Sequence, residues 1–226
     1  MPRFYELFDN VSNEWINIFL RSELNTNFNI IENDILSLPN IIPRADLIFE
    51  SLRYFNPHST KCIIILQEPY SLKELANGLA MGWQYDIRRA RNSFYGSTLI
   101  NFLKAAERGG IKINYTEFDF SLKTFAKGGV LLLNSSLTTT AEKSKHNKYW
   151  KPVVAKLLEF LTLNVDNLLI LMLGEDAKKL SSSIKNKTNH VVYKHPHPSS
   201  SNVSGIKELS QSEFFKELVI RGIELR

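Results

Sequence analysis

Four short apolar runs, Cys62–Leu66, Val130–Leu133, Leu168–Leu173 and Val191–Tyr193, constrain the fold of this chain more than any other feature. Each is unbroken rather than alternating, as a strand buried on both faces requires. Each stops at turn chemistry: Gln67-Glu68-Pro69, Asn134-Ser135-Ser136, Gly174 and Lys194-His195-Pro196. Helix-like stretches lie between them. Ser97–Arg108 runs into Gly109-Gly110, a helix stop. Lys151–Leu163 has Pro152 near its first turn and Val153, Val154, Leu157, Leu158 and Leu161 at helical spacing. Glu175–Ile184 and Gln211–Arg221 read the same way. Strands alternating with helices predict an α/β fold with a central four-stranded, mainly parallel sheet flanked by helices in three layers. In such a sheet the loops leaving the strands' carboxyl ends gather at one edge, where ligands bind.

The chain has 226 residues, which fits one domain over 1–226 better than two. Hydrophobic residues at 43% and charged residues at 23% give the balance of a globular protein with a sizeable core. The first 55 residues read as mainly helical, with Trp15, Ile16, Phe19 and Leu20 as a packing stripe. The single cysteine, Cys62, lies in an apolar run; it makes no internal disulfide and supplies no cysteine-based metal set. The six residues of Leu168–Leu173 fall far short of the roughly 20 that cross a bilayer, and Met1–Glu6 does not open like a secretion signal. A cytoplasmic or nuclear location is therefore expected, with no membrane partner. The net charge of +5 suits a polyanion partner without requiring one.

Three loops carry candidate chemistry. In Gln67-Glu68-Pro69-Tyr70-Ser71, a carboxylate at a strand exit, stiffened by the following proline, has the placement of a general base or water-holder. Alone it reads first as a capping Glu beside a turn proline. In the second loop, Asn134 offers a donor and an acceptor on one fork, the equipment for reading a base edge; alone it is a turn asparagine. In Lys194-His195-Pro196-His197-Pro198-Ser199-Ser200, two prolines fix the backbone and present His195 rigidly after the last strand. Paired histidines suggest a metal, but no Cys, Asp or Glu lies at ligand spacing, so no metal site is expected.

Taken together, these loops resemble the family 1 type of the uracil-DNA glycosylase superfamily. The resemblance covers most of the chain after about residue 40: Gln67 through Gly82, Gly129 through Thr138, Ser144–Trp150, Gly174-Glu175-Asp176-Ala177 and His195–Ser200. It implies an enzyme that turns a uracil nucleotide out of DNA, single- or double-stranded, and breaks its glycosidic bond without metal or cofactor. A monomer is expected. The resemblance further implies that Asn134 reads the uracil edge, that His195 donates to the charge developing on uracil O2, that Gln67 and Pro69 belong to the water-activating loop, and that Tyr70 excludes a thymine methyl. Ser135, Gly174, Pro196, His197 and Ser200 fall in segments expected to meet DNA, as does Pro69.

Several positions depart from the family pattern. Glu68 stands for the water-positioning aspartate, moving the carboxylate by about 1.5 Å; a shift of about 1 Å can cost on the order of a hundredfold. Ser71 stands for a histidine, and Met81 for the phenylalanine that stacks on uracil. Ser199 stands for the leucine wedge, Glu175 brings a negative charge toward a phosphate, and Ile87-Arg88-Arg89-Ala90-Arg91 replaces a proline-rich loop. These changes predict excision that is slow, altered in base preference, or lost. Two alternatives accompany that expectation. One is a fully active glycosylase. The other is a non-catalytic partner or decoy for an acidic DNA-mimic inhibitor protein, using the Arg88, Arg89 and Arg91 cluster.

Overall fold

The computed structural model describes residues 4–20, 24–83, 97–142, 146–199 and 203–226. Strands β1 (Cys62–Leu66), β2 (Val130–Asn134), β3 (Leu169–Leu173) and β4 (Val191–His195) form one sheet in the order β2-β1-β3-β4. Every pairing is parallel, in registers such as Leu66↔Asn134 and Leu173↔His195. The expected α/β architecture is present, and the sheet is parallel throughout rather than mainly so.

The unbroken apolar runs follow from two buried faces. Side chains alternate across a strand, so Ile63, Ile65, Leu131, Leu133, Ile170 and Met172 pack on one face against Trp15, Phe19, Trp150 and Leu158. Cys62, Ile64, Leu66, Leu132 and Leu171 pack on the other against Phe102, Leu103, Phe125 and Phe215. β4 is the exception: it lies at the sheet edge, is half-buried, and exposes Lys194.

Helix Ser97–Arg108 has the predicted bounds. Helix Asn147–Asn164 starts four residues before the predicted Lys151. Its extra turn buries Trp150, whose indole N–H donates to Thr138 Oγ1 at 2.6 Å. The predicted Glu175–Ile184 helix is α-helical only over Glu175–Lys178 and continues as a 3₁₀ turn over Lys179–Ser183. Three serines there disfavour the helix interior, and Ser182 Oγ turns back onto the Lys179 carbonyl. The predicted Gln211–Arg221 helix begins at Phe214, where the Ser212 hydroxyl accepts from the Phe214 N–H. Helix Asn13–Phe19 buries Trp15 and Phe19 as expected but ends before Leu20, which is 43% exposed. No described helix is long and apolar enough to cross a membrane.

With β2 and β3 on opposite sides of β1, successive crossovers leave in opposite directions. The crevice this opens at the strands' carboxyl ends is the standard ligand position of such sheets.

Candidate active site

A cavity of about 270 Å³ opens at that crevice. Its wall joins the loop after β1 (Gln67, Glu68, Pro69, Tyr70, Ser71), the returning segment at Gly78, Leu79 and Met81, the end of β2 at Asn134, and the loop after β4 at His197 and Ser199. Thr98, from the first turn of helix Ser97–Arg108, completes it. The mixture of apolar surface with a few convergent polar groups is that of a small-ligand site.

The loop after β1 is held from several directions. Buried Asn77 donates from Nδ2 to the Ser121 carbonyl at 2.9 Å and accepts from the Leu79 N–H at 3.0 Å. Gly78 has φ +83° and passes so close to Leu47 that a Cβ would overlap the Leu47 carbonyl oxygen; only glycine fits. The Tyr70 hydroxyl donates to the Met81 carbonyl at 3.0 Å, closing the loop into a ring. Met81 itself sits at φ +65°, an uncommon conformation for a non-glycine residue of the kind that gathers at functional sites. Burial pushes the Tyr70 phenol far above its ordinary value, so it stays neutral. Asn134 is buried at the end of β2, and its side chain makes no hydrogen bond among the described residues, leaving the amide fork for a ligand.

The two histidines of the last loop are placed differently. His195, expected to act on the base, is the last residue of β4 and does not line the cavity. Its Nδ1 lies 3.0 Å from Glu208 Oε1 and its Nε2 2.9 Å from Ser212 Oγ. A carboxylate only accepts, so Nδ1 donates to Glu208, and Nε2 is hydrogen-bonded to Ser212 Oγ; both ring nitrogens are engaged away from the cavity. His197, expected to meet DNA, lines the cavity instead. Two features hold it there. Gly174, at φ +91°, leaves the space in which a Cβ would stand 3.2 Å from His197 Cβ. Asn101 Nδ2 donates to the Pro198 carbonyl at 3.2 Å. Burial pulls the His197 imidazole below its ordinary value, so it is neutral near pH 7.

Other expected contacts also move. Ser135, expected to meet DNA, is fully buried; its hydroxyl donates to the Gln67 carbonyl at 2.8 Å and accepts from Asn147 Nδ2 at 2.9 Å. Ser199, which stands at the wedge position and is expected to meet DNA, lines the cavity. Glu175 is mostly exposed, but its charge is paired with Lys178 Nζ at 2.9 Å, a bridge of i,i+3 spacing that moderates its repulsion toward an anion. Gly174 shapes the seat of His197, and Pro196 lies outside the cavity lining. Ser200, Arg88, Arg89 and Arg91 lie outside the described residues. Sequence reasoning missed Thr98, which belongs to no motif, and Thr139, whose hydroxyl donates to Glu68 Oε2 at 3.3 Å. Among the described residues no cluster of three or more His, Cys, Asp or Glu forms a metal site.

The fold and site define a parallel α/β protein with a polar cavity at the sheet's carboxyl edge, lined by an amide, a carboxylate and an imidazole. Comparison with known proteins narrows the class. The chain is 30% identical over 196 residues to the uracil-DNA glycosylase of Blochmanniella floridana, a match covering 83% of this chain and 84% of that one. It is 26% identical over 199 residues to a probable uracil-DNA glycosylase of Acanthamoeba polyphaga mimivirus, covering 82% of this chain and 51% of the relative, so it spans about half of that protein's length. No family model matches. In fold, a mimivirus UNG variant solved in complex with UGI superposes with a TM-score of 0.79 at 21% identity, covering 97% of this chain and 89% of that one. The chain belongs to the uracil-DNA glycosylase family.

Proposed function

We propose that the chain removes uracil from DNA by hydrolysing its glycosidic bond, at a rate below that usual for the family. The observation that carries this reading is the convergence of Asn134, Glu68 and His197 on one cavity floored by Tyr70. A uracil turned out of the stack is read by the Asn134 amide, whose donor and acceptor match the ring's N3–H and O4. As the bond to C1′ breaks, its electron pair stays with the base and the sugar becomes oxocarbenium-like. A neutral His197 donates an N–H to the charge gathering on uracil O2 without first having to lose a proton. Glu68 orients water toward the sugar carbon and stabilises the positive charge there. Tyr70, packed against Trp83 at 5.7 Å between ring centroids, is a rigid wall against a 5-methyl group.

The reduced rate rests on Glu68 and Met81. The carboxylate is one methylene longer than the family's aspartate. The thioether of Met81 replaces a ring whose stacking on a base is worth roughly 1–3 kcal/mol, and sulfur contact returns part of this. Ser199 lines the cavity, which supports a part for it in the wall. A protein partner of DNA-mimicking, acidic character fits the same groove; the structural relative bound to UGI supports that extension.

Single-turnover assay on a single-stranded oligonucleotide with one uracil tests the reading, since that substrate needs no strand separation. Release of free uracil, with no release of thymine or cytosine from matched oligonucleotides, is expected. Absence of uracil release with enzyme in excess over hours overturns it.

A further inference from the structure

The hydroxyl of buried Thr139 reaches Glu68 Oε2, and Thr139 belongs to no motif read from the sequence. We propose that Thr139 is the positioning residue for Glu68, its hydroxyl fixing the rotation of a carboxylate side chain that is longer than an aspartate. The inference rests on the reading of Glu68 as the water-holding carboxylate.

Both ends of the pair are pinned to the scaffold. Before Glu68, the chain is tied to the end of β2: the Ser135 N–H donates to Leu66 O at 2.9 Å, the Ser136 N–H to Gln67 O at 3.0 Å, and the Ser135 hydroxyl to that same Gln67 O at 2.8 Å. Asn147, at the start of its helix, donates to the Ser135 hydroxyl at 2.9 Å and so fastens this joint to a long element. After Glu68, Pro69 restricts the backbone. Thr139 is fully buried and clamped on both sides of its backbone, with Ile42 N donating to Thr139 O at 2.9 Å and Thr139 N to Ile42 O at 2.7 Å.

With the two backbones fixed, the side-chain torsions of Glu68 set where its carboxylate stands. A glutamate has one more of these than an aspartate, and each unrestrained torsion blurs the position of the carboxylate. The Thr139 hydroxyl donates to Glu68 Oε2 at 3.3 Å. Its other acceptor in range, the Thr140 carbonyl at 3.4 Å, is neutral, and a carboxylate is the stronger acceptor, so the single hydroxyl proton goes to Glu68. The separation is long for an O–H···O bond, as catalytic hydrogen bonds often are before substrate closes the site.

The test is a double-mutant cycle on single-turnover uracil excision, using Thr139→Val, Glu68→Gln and the combination, with Thr139→Ser as the variant that keeps the hydroxyl. Thr139→Val is expected to slow the step about tenfold, the worth of a hydrogen bond to a charged group, with the half-saturating DNA concentration unchanged. Thr139→Ser retains most of the rate, and Thr139→Val adds little to Glu68→Gln. Thr139→Ala takes the place of the valine variant if melting shows that the latter does not fold. Equal losses with serine and valine, or an undiminished tenfold loss on top of Glu68→Gln, overturn the role of Thr139 alone. An unchanged rate in Glu68→Gln overturns the assignment of Glu68, and this inference with it.

Discussion

Gly174 and His197 form a matched pair: the glycine's missing side chain is the space into which the histidine packs, with a Cβ at position 174 falling 3.2 Å from His197 Cβ. The glycine lies at φ +91° and ψ 165°, a region almost closed to other residues. It receives the chain directly from β3, and its N–H donates to the His195 carbonyl at 2.9 Å. One residue thus ends β3, meets the last residue of β4 and sets the depth of the imidazole.

Gly174→Ala therefore carries two penalties. Backbone strain lowers stability by about 1–3 kcal/mol, seen as a drop in melting temperature. Displacement of His197 lowers the excision rate further, by on the order of tenfold or more at temperatures where the variant is folded. A variant with wild-type rate and melting temperature contradicts the packing described.

The amide fork of Asn134 is predicted to supply base recognition. Asn134→Ala removes two hydrogen bonds to the uracil edge while changing little in the fold, since the side chain bonds to no described residue. The expected loss in kcat/KM is on the order of a hundredfold, and binding of free uracil weakens in parallel by isothermal titration. Loss of stability without loss of uracil affinity would assign Asn134 to the turn alone.

Stability should fall on mild acidification. Burial holds both His197 and His146 below the ordinary histidine value of 6.5, though a hydrogen bond from the His146 ring to the Thr138 backbone partly opposes the shift there. A histidine with a depressed folded value binds more protons when unfolded. Its contribution is complete above the ordinary value and declines as pH drops from there through the depressed folded values. Thermal melts between about pH 7 and pH 5 should show this decline, shallower in His197→Asn. An identical slope in that variant contradicts the burial argument for His197.

Much of this was legible in the sequence, for reasons that differ by element. The strands announced themselves because two buried faces demand unbroken apolar runs, and Cys62–Leu66 has the same bounds in both readings. Glu68 and Asn134 stand out because each lies at a strand's end, whereas Tyr70 and Met81 were legible only through the family resemblance; all four line the cavity. The histidine could not. His195-Pro196-His197-Pro198 repeats one dipeptide two residues apart, so either imidazole satisfies the same local pattern. The choice is made by Glu208 and Ser212, which are 13 and 17 residues away and hold His195 outside. Thr139 was illegible for a related reason: its partner Glu68 is 71 residues distant, and a threonine in an apolar-to-polar turn carries no signal of its own.

His197, not His195, is predicted to act on the base, and single-turnover excision by two alanine variants decides it. His197→Ala is predicted to lose on the order of a hundredfold or more, while His195→Ala, which loosens only the stem of the loop, keeps most of the rate. The reverse order, with His195→Ala inactive and His197→Ala near wild type, would contradict the account.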